Sequence, residues 1–256
     1  LLKENVFEDR KFYKSPINNS SENQSYLTFS GDNELYLCKY KSYSKQSYLN
    51  IFKSISVKNN WSEPIVVDSL AYEGFCAQPT ISPDGNMMVF SSDRDSRFGD
   101  TDLWMSFKNE NGNWGSPIII KELNSYGNEI TPYLHGSDTL YFASDGFEGP
   151  GGFDIYISIR SDDKWNRPFP LSDINTDFNE SDFVIINNNF AVFTSDRPGG
   201  AGKLDLYSAN RSNTNRNLIS RNSNEISLQT QVSNIIIQKN SKIKRFPSFH
   251  FFVKKT

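Results

Sequence analysis

The sequence is poor in the residues that build metal centres and disulfide frameworks. It holds two cysteines and two histidines among 256 residues. Cys38 and Cys76 are too few for a disulfide framework, and their apolar and aromatic surroundings favour two buried thiols. His135 and His250 show no ligand spacing with the cysteines, so we expect no zinc site. The sequence has no Gly-x-Ser-x-Gly motif whose serine could pair with either histidine, which argues against a serine hydrolase.

Long apolar runs and a concentrated basic surface are also missing. No run approaches the roughly 18 apolar residues of a membrane span, so we expect no transmembrane segment. The net charge of -3 argues against a nucleic-acid partner or an anionic membrane surface. The start has no signal-peptide pattern. Because the chain begins at Leu1 and not at Met, we expect a mature form or an excised fragment.

Glycine-rich stretches do not point to a cofactor. "GPGG" and "PGGAGK" do not fit the phosphate-binding loop, and neither leads into a helical pattern. We therefore expect no cofactor and no metal. Calcium held by loop aspartates is left open, although no alternating Asp/Asn ligand run marks a site.

What the chain has instead is an internal repeat. "MVFSSDRDSRFGDTDLWMS", "LYFASDGFEGPGGFDIYIS" and "AVFTSDRPGGAGKLDLYSA" each contain two aspartates nine residues apart. Phe90, Phe142 and Phe193 fall in the same register, 52 and 51 residues apart. A fourth unit lies upstream, with Asn50 at the position of the second aspartate. The paired aspartates are Asp93 and Asp102, Asp145 and Asp154, and Asp196 and Asp205.

The repeat predicts an all-β propeller of four-stranded blades. Each unit contains four short strand patterns separated by turns rich in Asn, Gly, Pro and Asp. A period of about 52 residues with one sheet per unit is typical of propellers, whereas a tandem array that does not close is the alternative. We place the repeats within 1–222, with units at about 26–66, 77–120, 130–171 and 181–220. Residues 223–256 are either strands of a fifth blade or a linker to a downstream domain that is missing here.

The two ends of the sequence suggest how a ring would close. "YKSPI", residues 13–17, matches the aromatic-x-x-Pro strand of the other units but has no preceding strands of its own. "EISLQTQV", "NIIIQ" and "FHFFV" near the other end could supply those strands. A fifth blade shared by both termini would remove two exposed sheet edges, so four and five blades both stay open.

The aromatic-x-x-Pro motif marks a second structural position. "WSEPIVV", "WGSPIII" and "WNRPFPL" begin at Trp61, Trp114 and Trp165. We expect each tryptophan to pack between neighbouring sheets, because a buried aromatic side chain contributes strongly to a β core.

Together these motifs resemble the Pro-Asp variety of WD-like propeller repeats. "QPTISPDGNMMVFSSDR" and "KWNRPFPLSDINTDFNES" carry the likeness, which covers roughly residues 25–210. Such repeats occur in TolB-type proteins and in bacterial envelope proteins that often carry an OmpA-like domain. The first unit departs from the pattern, with Gly31 where the family prefers Pro and Lys41 in place of the Ser-Asp aspartate. The resemblance implies a location in the periplasm or at the outer membrane, and peptidoglycan contact through a downstream domain absent here.

The repeated aspartates are better explained as scaffold than as a reaction centre. Some propellers are glycosidases with carboxylates on their inner strands, so Asp93, Asp145 and Asp196 are candidates for acid and base. A residue kept in three units, however, is more economically a turn cap that accepts backbone amides in the connection between second and third strands. The second aspartate of each unit receives the same interpretation.

The prediction for function is therefore a non-catalytic binding or scaffolding module of a bacterial envelope protein. Its partner would be an envelope protein or a glycan, and the alternative is a glycoside hydrolase or other carbohydrate-active enzyme. Propellers bind ligands on faces built from their loops. One face should gather the following candidates: Arg94, Arg97, Phe98, Phe147, Arg197, Lys203, Asn128, Glu129, Asn179 and Glu180.

Overall fold

The computed structural model describes residues 16–18, 24–31, 33–44, 46–58, 60–95, 98–211 and 235–236. These residues form four antiparallel sheets, each made of strands consecutive in the sequence. The predicted all-β propeller arrangement is confirmed, since each repeat of about 52 residues folds as one blade. The two helical elements in the described ranges are single 3-10 turns at Pro16–Asn18 and Lys121–Leu123.

The strands follow one order in every blade. The first blade contains β1 (Gln24–Ser30), β2 (Glu34–Ser42), β3 (Ser47–Val57), β4 (Asn60–Trp61) and β5 (Ile65–Val66). The second contains β6 (Cys76–Ile81), β7 (Met87–Ser92), β8 (Asp102–Phe107) and β9 (Ile118–Ile119). The third contains β10 (Glu129–His135), β11 (Thr139–Ser144), β12 (Asp154–Ser161), β13 (Lys164–Trp165) and β14 (Phe169–Pro170). The fourth contains β15 (Glu180–Asn187), β16 (Phe190–Ser195), β17 (Asp205–Arg211) and β18 (Ile235–Ile236).

The first strand of each blade lies innermost. β1 contacts β6, β6 contacts β10, and β10 contacts β15, so these strands run side by side around the propeller axis. Tight turns join them to the second strands. Gly31, Gly85 and Gly136 occupy these turns with φ of +61°, +73° and +77°, a region that glycine enters without a Cβ penalty. In the fourth blade the side chain of Asn187 accepts the amide of Asn189 at 3.0 Å and stabilises the turn without glycine.

Apolar side chains pack between successive blades. Trp114 of the second blade is 5 % exposed and lies edge-on to Tyr36 of the first, with its indole N–H donating to the tyrosine oxygen at 3.0 Å. Trp165 of the third blade packs among Met87 and Val89 of the second. Trp61 has no earlier blade beside it in the described residues and packs against Ile17 instead. The tryptophans therefore repeat in position while their surroundings differ.

The two cysteines are buried and free. Cys38 and Cys76 lie in the core between the first and second blades. Burial raises the pKa of both thiols, that of Cys76 to about 12. They therefore behave as small apolar side chains and not as nucleophiles.

The described parts of the termini differ from the strands expected there. Pro16–Asn18 is a 3-10 turn, and Ile17 is buried against Leu35 and Leu37 of the first blade. Ile235–Ile236 pairs with β17 as the fourth strand of the fourth blade, not as a strand of a fifth. The rest of 13–17 and of 223–256 lies outside the described residues, so a fifth blade stays a prediction.

Candidate functional site

Four residues with unusual backbone geometry surround the propeller axis. Tyr26, Gln78, Thr131 and Asp182 have φ between +49° and +58°, a left-handed conformation that is rare for residues other than glycine. They lie 52, 53 and 51 residues apart, at the irregular point where each innermost strand pairs with its second strand. A bulge of this kind redirects a side chain out of the sheet. We call these residues the axial quartet.

Hydrogen bonds connect the axial quartet from blade to blade. The amide of Thr131 donates to Oε1 of Gln78 at 3.0 Å, and the amide of Asp182 donates to Oγ1 of Thr131 at 3.2 Å. Tyr26 is hydrogen-bonded to Gln78. Burial raises the pKa of the Tyr26 phenol, the Gln78 bond lowers it, and the charge of Asp182 raises it further. Hydrogen bonds thus join the second, third and fourth blades through the quartet, and Tyr26 joins the first blade to the second.

Asp182 is the carboxylate of the axial quartet. Its Oδ2 accepts hydrogen bonds from Ser181 Oγ and Thr194 Oγ1, both at 2.9 Å. The side chain is partly buried. Two hydroxyl donors on one oxygen fix the orientation of the carboxyl group. Asp182 therefore places a carboxylate of fixed orientation at the bulge of β15, the innermost strand of its blade.

A second set of carboxylates is buried between the blades. Glu129 and Glu180 are 0 % exposed and stand at the start of β10 and β15. Glu129 accepts bonds from Ser125 Oγ at 2.5 Å and Ser144 Oγ at 2.6 Å. Glu180 is bonded in the same way and also pairs with Arg197 at 2.9 Å. Both were expected on an exposed binding face. That expectation is wrong, because the side chains hold the inter-blade linker from inside.

The aspartates that end the second strands act as backbone caps. Asp93, Asp145 and Asp196 accept the amides of Phe75, Asn128 and Asn179 at 2.8, 2.6 and 2.8 Å. Each donor is the residue just before the first strand of the same blade. The cap therefore fastens the start of the blade, and the predicted cap within the connection between second and third strands is wrong. The reason is that the first and second strands of a blade pair antiparallel, so the residue before the first strand lies beside the aspartate after the second strand.

The aspartates that open the third strands lie at the glycine-rich connections. Asp154 accepts the amide of Gly151 at 3.0 Å and Asp205 that of Gly202 at 2.9 Å. Asn50 of the first blade instead bonds the Tyr72 backbone, through the amide N–H at 2.8 Å and the carbonyl at 3.0 Å. Asp102 differs from all three, since neither carboxylate oxygen has a well-formed hydrogen bond within the described ranges.

Several predicted binding-face side chains are packed in the blades. The Arg94 guanidinium lies 5.3 Å from the Trp104 ring centre and donates to the Leu70 carbonyl at 3.0 Å. Arg197 pairs with buried Glu180. Phe147 packs on Tyr156 with ring centres 5.3 Å apart. These side chains were predicted to lie on an exposed binding face, and that prediction is wrong because their contacts are with the blade interior.

The remaining candidates of the predicted face have different surroundings. Asn128 and Asn179 are partly buried, and their side-chain amides bond Asp145 and Asp196. Lys203 is exposed and Phe98 is partly buried. Arg97 lies outside the described residues. The predicted face is therefore not brought together as one exposed set.

Two linker asparagines that bond the backbone of a third strand were not predicted from the sequence. The Asn124 side chain accepts the Leu103 amide at 2.7 Å and donates to its carbonyl at 3.0 Å. Asn175 does the same with Ile155, at 2.9 Å for both bonds. The available signal was the repeated linker motif "NSYGNE" and "NTDFNE".

The described residues hold no group of three or more His, Cys, Asp or Glu side chains placed to bind a metal. Among the same residues, no helix is long and apolar enough to cross a membrane.

Comparisons with known proteins identify no family. No family model matches the sequence, and no curated protein matches it either. Solved structures that it resembles include a puromycin-hydrolysing peptidase from Mycobacterium tuberculosis, with 16% identity and a TM-score of 0.49. That match covers 75% of this chain but 28% of the peptidase, so this chain spans little more than a quarter of its length.

Two further similar structures are an endo-arabinase and an endo-arabinanase. The endo-arabinase from Bacteroides thetaiotaomicron is 13% identical with a TM-score of 0.47, and 70% of this chain covers 72% of that one. The GH43 endo-arabinanase from Bacillus licheniformis is 14% identical with a TM-score of 0.44, and 72% of this chain covers 71% of that one. The expectation that this chain is not an enzyme is contradicted by these matches, since the similar structures are enzymes. At such low identity, the likeness transfers neither a substrate nor a mechanism.

Proposed function

We propose that this propeller is a glycoside hydrolase that works at its axial opening with Asp182 as the catalytic carboxylate. The observation that carries the proposal is the axial quartet. The left-handed backbone recurs at one position of the four innermost strands, where four polar side chains stand, and one of them is a carboxylate with a fixed orientation. Strained backbone of this kind is concentrated at functional sites.

The chemistry of the quartet suits a ligand rich in hydroxyl groups. A phenol, a carboxamide, a hydroxyl and a carboxylate offer donors and acceptors side by side. The Tyr26 ring also supplies an apolar surface next to these polar groups. A few convergent polar groups with an aromatic wall are typical of small-ligand sites, and a sugar ring needs both kinds of contact.

The hydrogen bonds of Asp182 and the raised pKa of Tyr26 divide the two roles between them. Asp182, held by hydroxyl donors, would take the proton of the attacking water. Tyr26, whose pKa is raised by burial and by the Asp182 charge, stays protonated at neutral pH and would donate to the leaving oxygen. Most glycosidases use a second carboxyl group for this donation. Because a phenol is the weaker acid, substrates with good leaving groups should react fastest.

Aryl glycosides therefore provide the direct test. The folded protein should hydrolyse at least one member of a nitrophenyl glycoside panel, and Asp182→Asn should lower kcat/KM at least a hundredfold. Asp177→Asn is the matched control, because Asp177 is exposed in the linker that leads into the same blade. Circular dichroism should show both variants folded.

Two outcomes would refute the hydrolase proposal. Undiminished hydrolysis by Asp182→Asn would remove the assigned role. Glycan binding without turnover, lost in Asp182→Asn, would make the axial quartet a binding site only.

A further inference from the structure

Two buried carboxylates meet between the second and third blades. Thr101 pairs with Asn128 as a parallel bridge, and the Glu129 amide donates to the Thr101 carbonyl at 2.7 Å. The next residue on one side is Asp102 and on the other is Glu129, so the two side chains are neighbours across the bridge. Both are 0 % exposed. The two carboxyl groups therefore interact with each other while shielded from water.

The two carboxylates are unequally satisfied by the protein. Glu129 accepts the Ser125 amide at 3.0 Å in addition to its two serine hydroxyl bonds. Asp102 has no well-formed hydrogen bond on either oxygen from the part of the chain that the structure describes. Burial and the Glu129 charge raise the pKa of Asp102 to about 7, with the amide of Gly99 acting in the opposite direction. A buried, unsatisfied carboxylate beside another is costly unless a positive group joins it.

The other two blade interfaces show what normally supplies that positive group. Between the third and fourth blades, the corresponding acids are Asp154 and Glu180, and Arg197 pairs with Glu180 at 2.9 Å. Between the first and second blades the acids are absent, because Asn50 and Cys76 stand in their places. That interface nevertheless has its arginine, Arg94, at the position of Arg197.

The interface between the second and third blades lacks the arginine. The position of Arg94 and Arg197 is occupied there by Gly146, directly after Asp145. A Cβ at Gly146 would lie 1.9 Å from Ser125 Oγ and 2.5 Å from the Gly127 nitrogen, so no side chain fits. This interface therefore combines two buried acids with no guanidinium from that position.

We propose that Asp102 and Glu129 bind a cation that takes the place of the missing arginine, and that the cation is calcium. All the side-chain donors at this site are oxygens, which favours a hard cation over zinc or copper. Buried, water-poor surroundings disfavour magnesium, which keeps several of its waters. With two carboxylates in place of the larger ligand set of a high-affinity loop, we expect Kd in the range of about 10⁻⁴–10⁻³ M. The proposal is independent of the proposed function.

Thermal unfolding of chelator-treated protein tests the site without an activity assay. CaCl₂ should raise Tm in a saturable way, while MgCl₂ and NaCl at matched ionic strength should raise it much less, because a ligand that binds only the native state stabilises it. Isothermal titration calorimetry should give one calcium per chain. Asp102→Asn should abolish both effects. This variant should fold, because asparagine already serves at the equivalent position, Asn50, in the first blade.

The internal repeat supplies the matched control. Asp154→Asn changes the equivalent aspartate one blade further on, where Arg197 already provides the positive charge, so its calcium response should equal that of the parent. An equal calcium shift in Asp102→Asn would overturn the proposal. So would the absence of any calcium response in the parent protein. If Asp102→Asn were then more stable than the parent at pH 8, the site would hold a proton in place of a metal.

Discussion

Acidic residues at repeated positions have distinct structural roles in this chain. Asp93 and its equivalents cap the entry of their blades, whereas Glu129 and Glu180 hold the linkers from inside. Asp182 has neither role and lies at the bulge of an innermost strand. Residue type alone does not separate these roles. The roles are separated by the backbone donors around each carboxyl group, because a carboxylate that accepts hydrogen bonds from backbone amides already has a structural role.

The ion pair across the first two blades should make stability depend on acid pH. Glu34 contacts Lys108 of the second blade at 2.8 Å and Lys53 of its own. Burial alone would raise the pKa of Glu34, but the bonds from Lys108 and Lys53 outweigh it and lower the pKa from 4.5 to about 2. A depressed pKa contributes stability above the unfolded value of 4.5, and that contribution is lost as pH falls toward 2.

Glu34→Gln measures this contribution. Near pH 7 the variant should be less stable by about 1–2 kcal/mol, allowing for partial screening of the pair. Between pH 4.5 and 2 its free energy of unfolding should fall less steeply than that of the parent. Urea unfolding across this range provides the measurement, with Glu63→Gln, at an exposed site in the same blade, as control. Parallel curves for parent and Glu34→Gln would contradict the predicted linkage.

The axial quartet could not be recognised from residue types in the sequence. Tyr, Gln, Thr and Asp share no chemical type, so a search for repeated letters passes over them. Their common feature is a bulge with positive φ, which depends on how the innermost strands pair around the axis. The repeated aspartates were found because a capping role requires one kind of side chain. The axial position requires a conformation, and four different residues adopt it.

The blade is the element that the sequence predicted best. Strand pairs alternate in hydrophobicity and end at Gly, Asn or Asp turns, so the first three strands of each blade follow from local pattern. The burial of the linker residues between blades was predicted less well. Glu129 and Glu180 were predicted to be exposed because they stand in linkers between blades, and propellers build their binding faces from such loops. Their partners, such as Ser125 and Ser144, come from two separate segments that meet only in the folded blade.

The tryptophans should differ in their contribution to stability, because they have different neighbours. Trp114→Ala should cost about 3–5 kcal/mol, since it leaves a cavity between two blades and removes the bond to Tyr36. Trp61 is only partly buried and touches the exposed Phe29 at 6.0 Å between ring centres. Trp61→Ala should therefore cost less, about 1–2 kcal/mol.

Urea denaturation of both variants tests this order. Trp114→Phe is the intermediate control, because it keeps most of the buried area and loses the indole donor. Equal losses for Trp61→Ala and Trp114→Ala would mean that Trp61 is as well covered as Trp114.

At the scale of the whole molecule, the first and last blades carry apolar side chains that inner blades bury. Leu206 is 58 % exposed, whereas Leu103 and Ile155 in the same register are 0 % exposed. Phe29 is 59 % exposed, while its equivalent Ile81 is 8 % exposed. The sequence could not reveal this difference, because the repeat gives every blade the same two apolar faces. The difference arises because the first and fourth blades each have a neighbouring blade on one side only among the described residues. Location in a bacterial envelope and binding of an envelope partner stay predictions.

Ile17 covers part of the outward face of the first blade, so it should matter more than its place before the repeats suggests. It is 7 % exposed and packs on Leu35 and Leu37, while the Gln24 side chain donates to its carbonyl. Ile17→Ala should lower the free energy of unfolding by about 2–4 kcal/mol. Ile65→Ala, at a 65 % exposed isoleucine of the same blade, should change it by less than about 0.5 kcal/mol. Both values come from urea denaturation. A neutral Ile17→Ala would mean that the turn at Pro16–Asn18 does not shield the blade, and the outward face of the first blade would then be as open as that of the fourth.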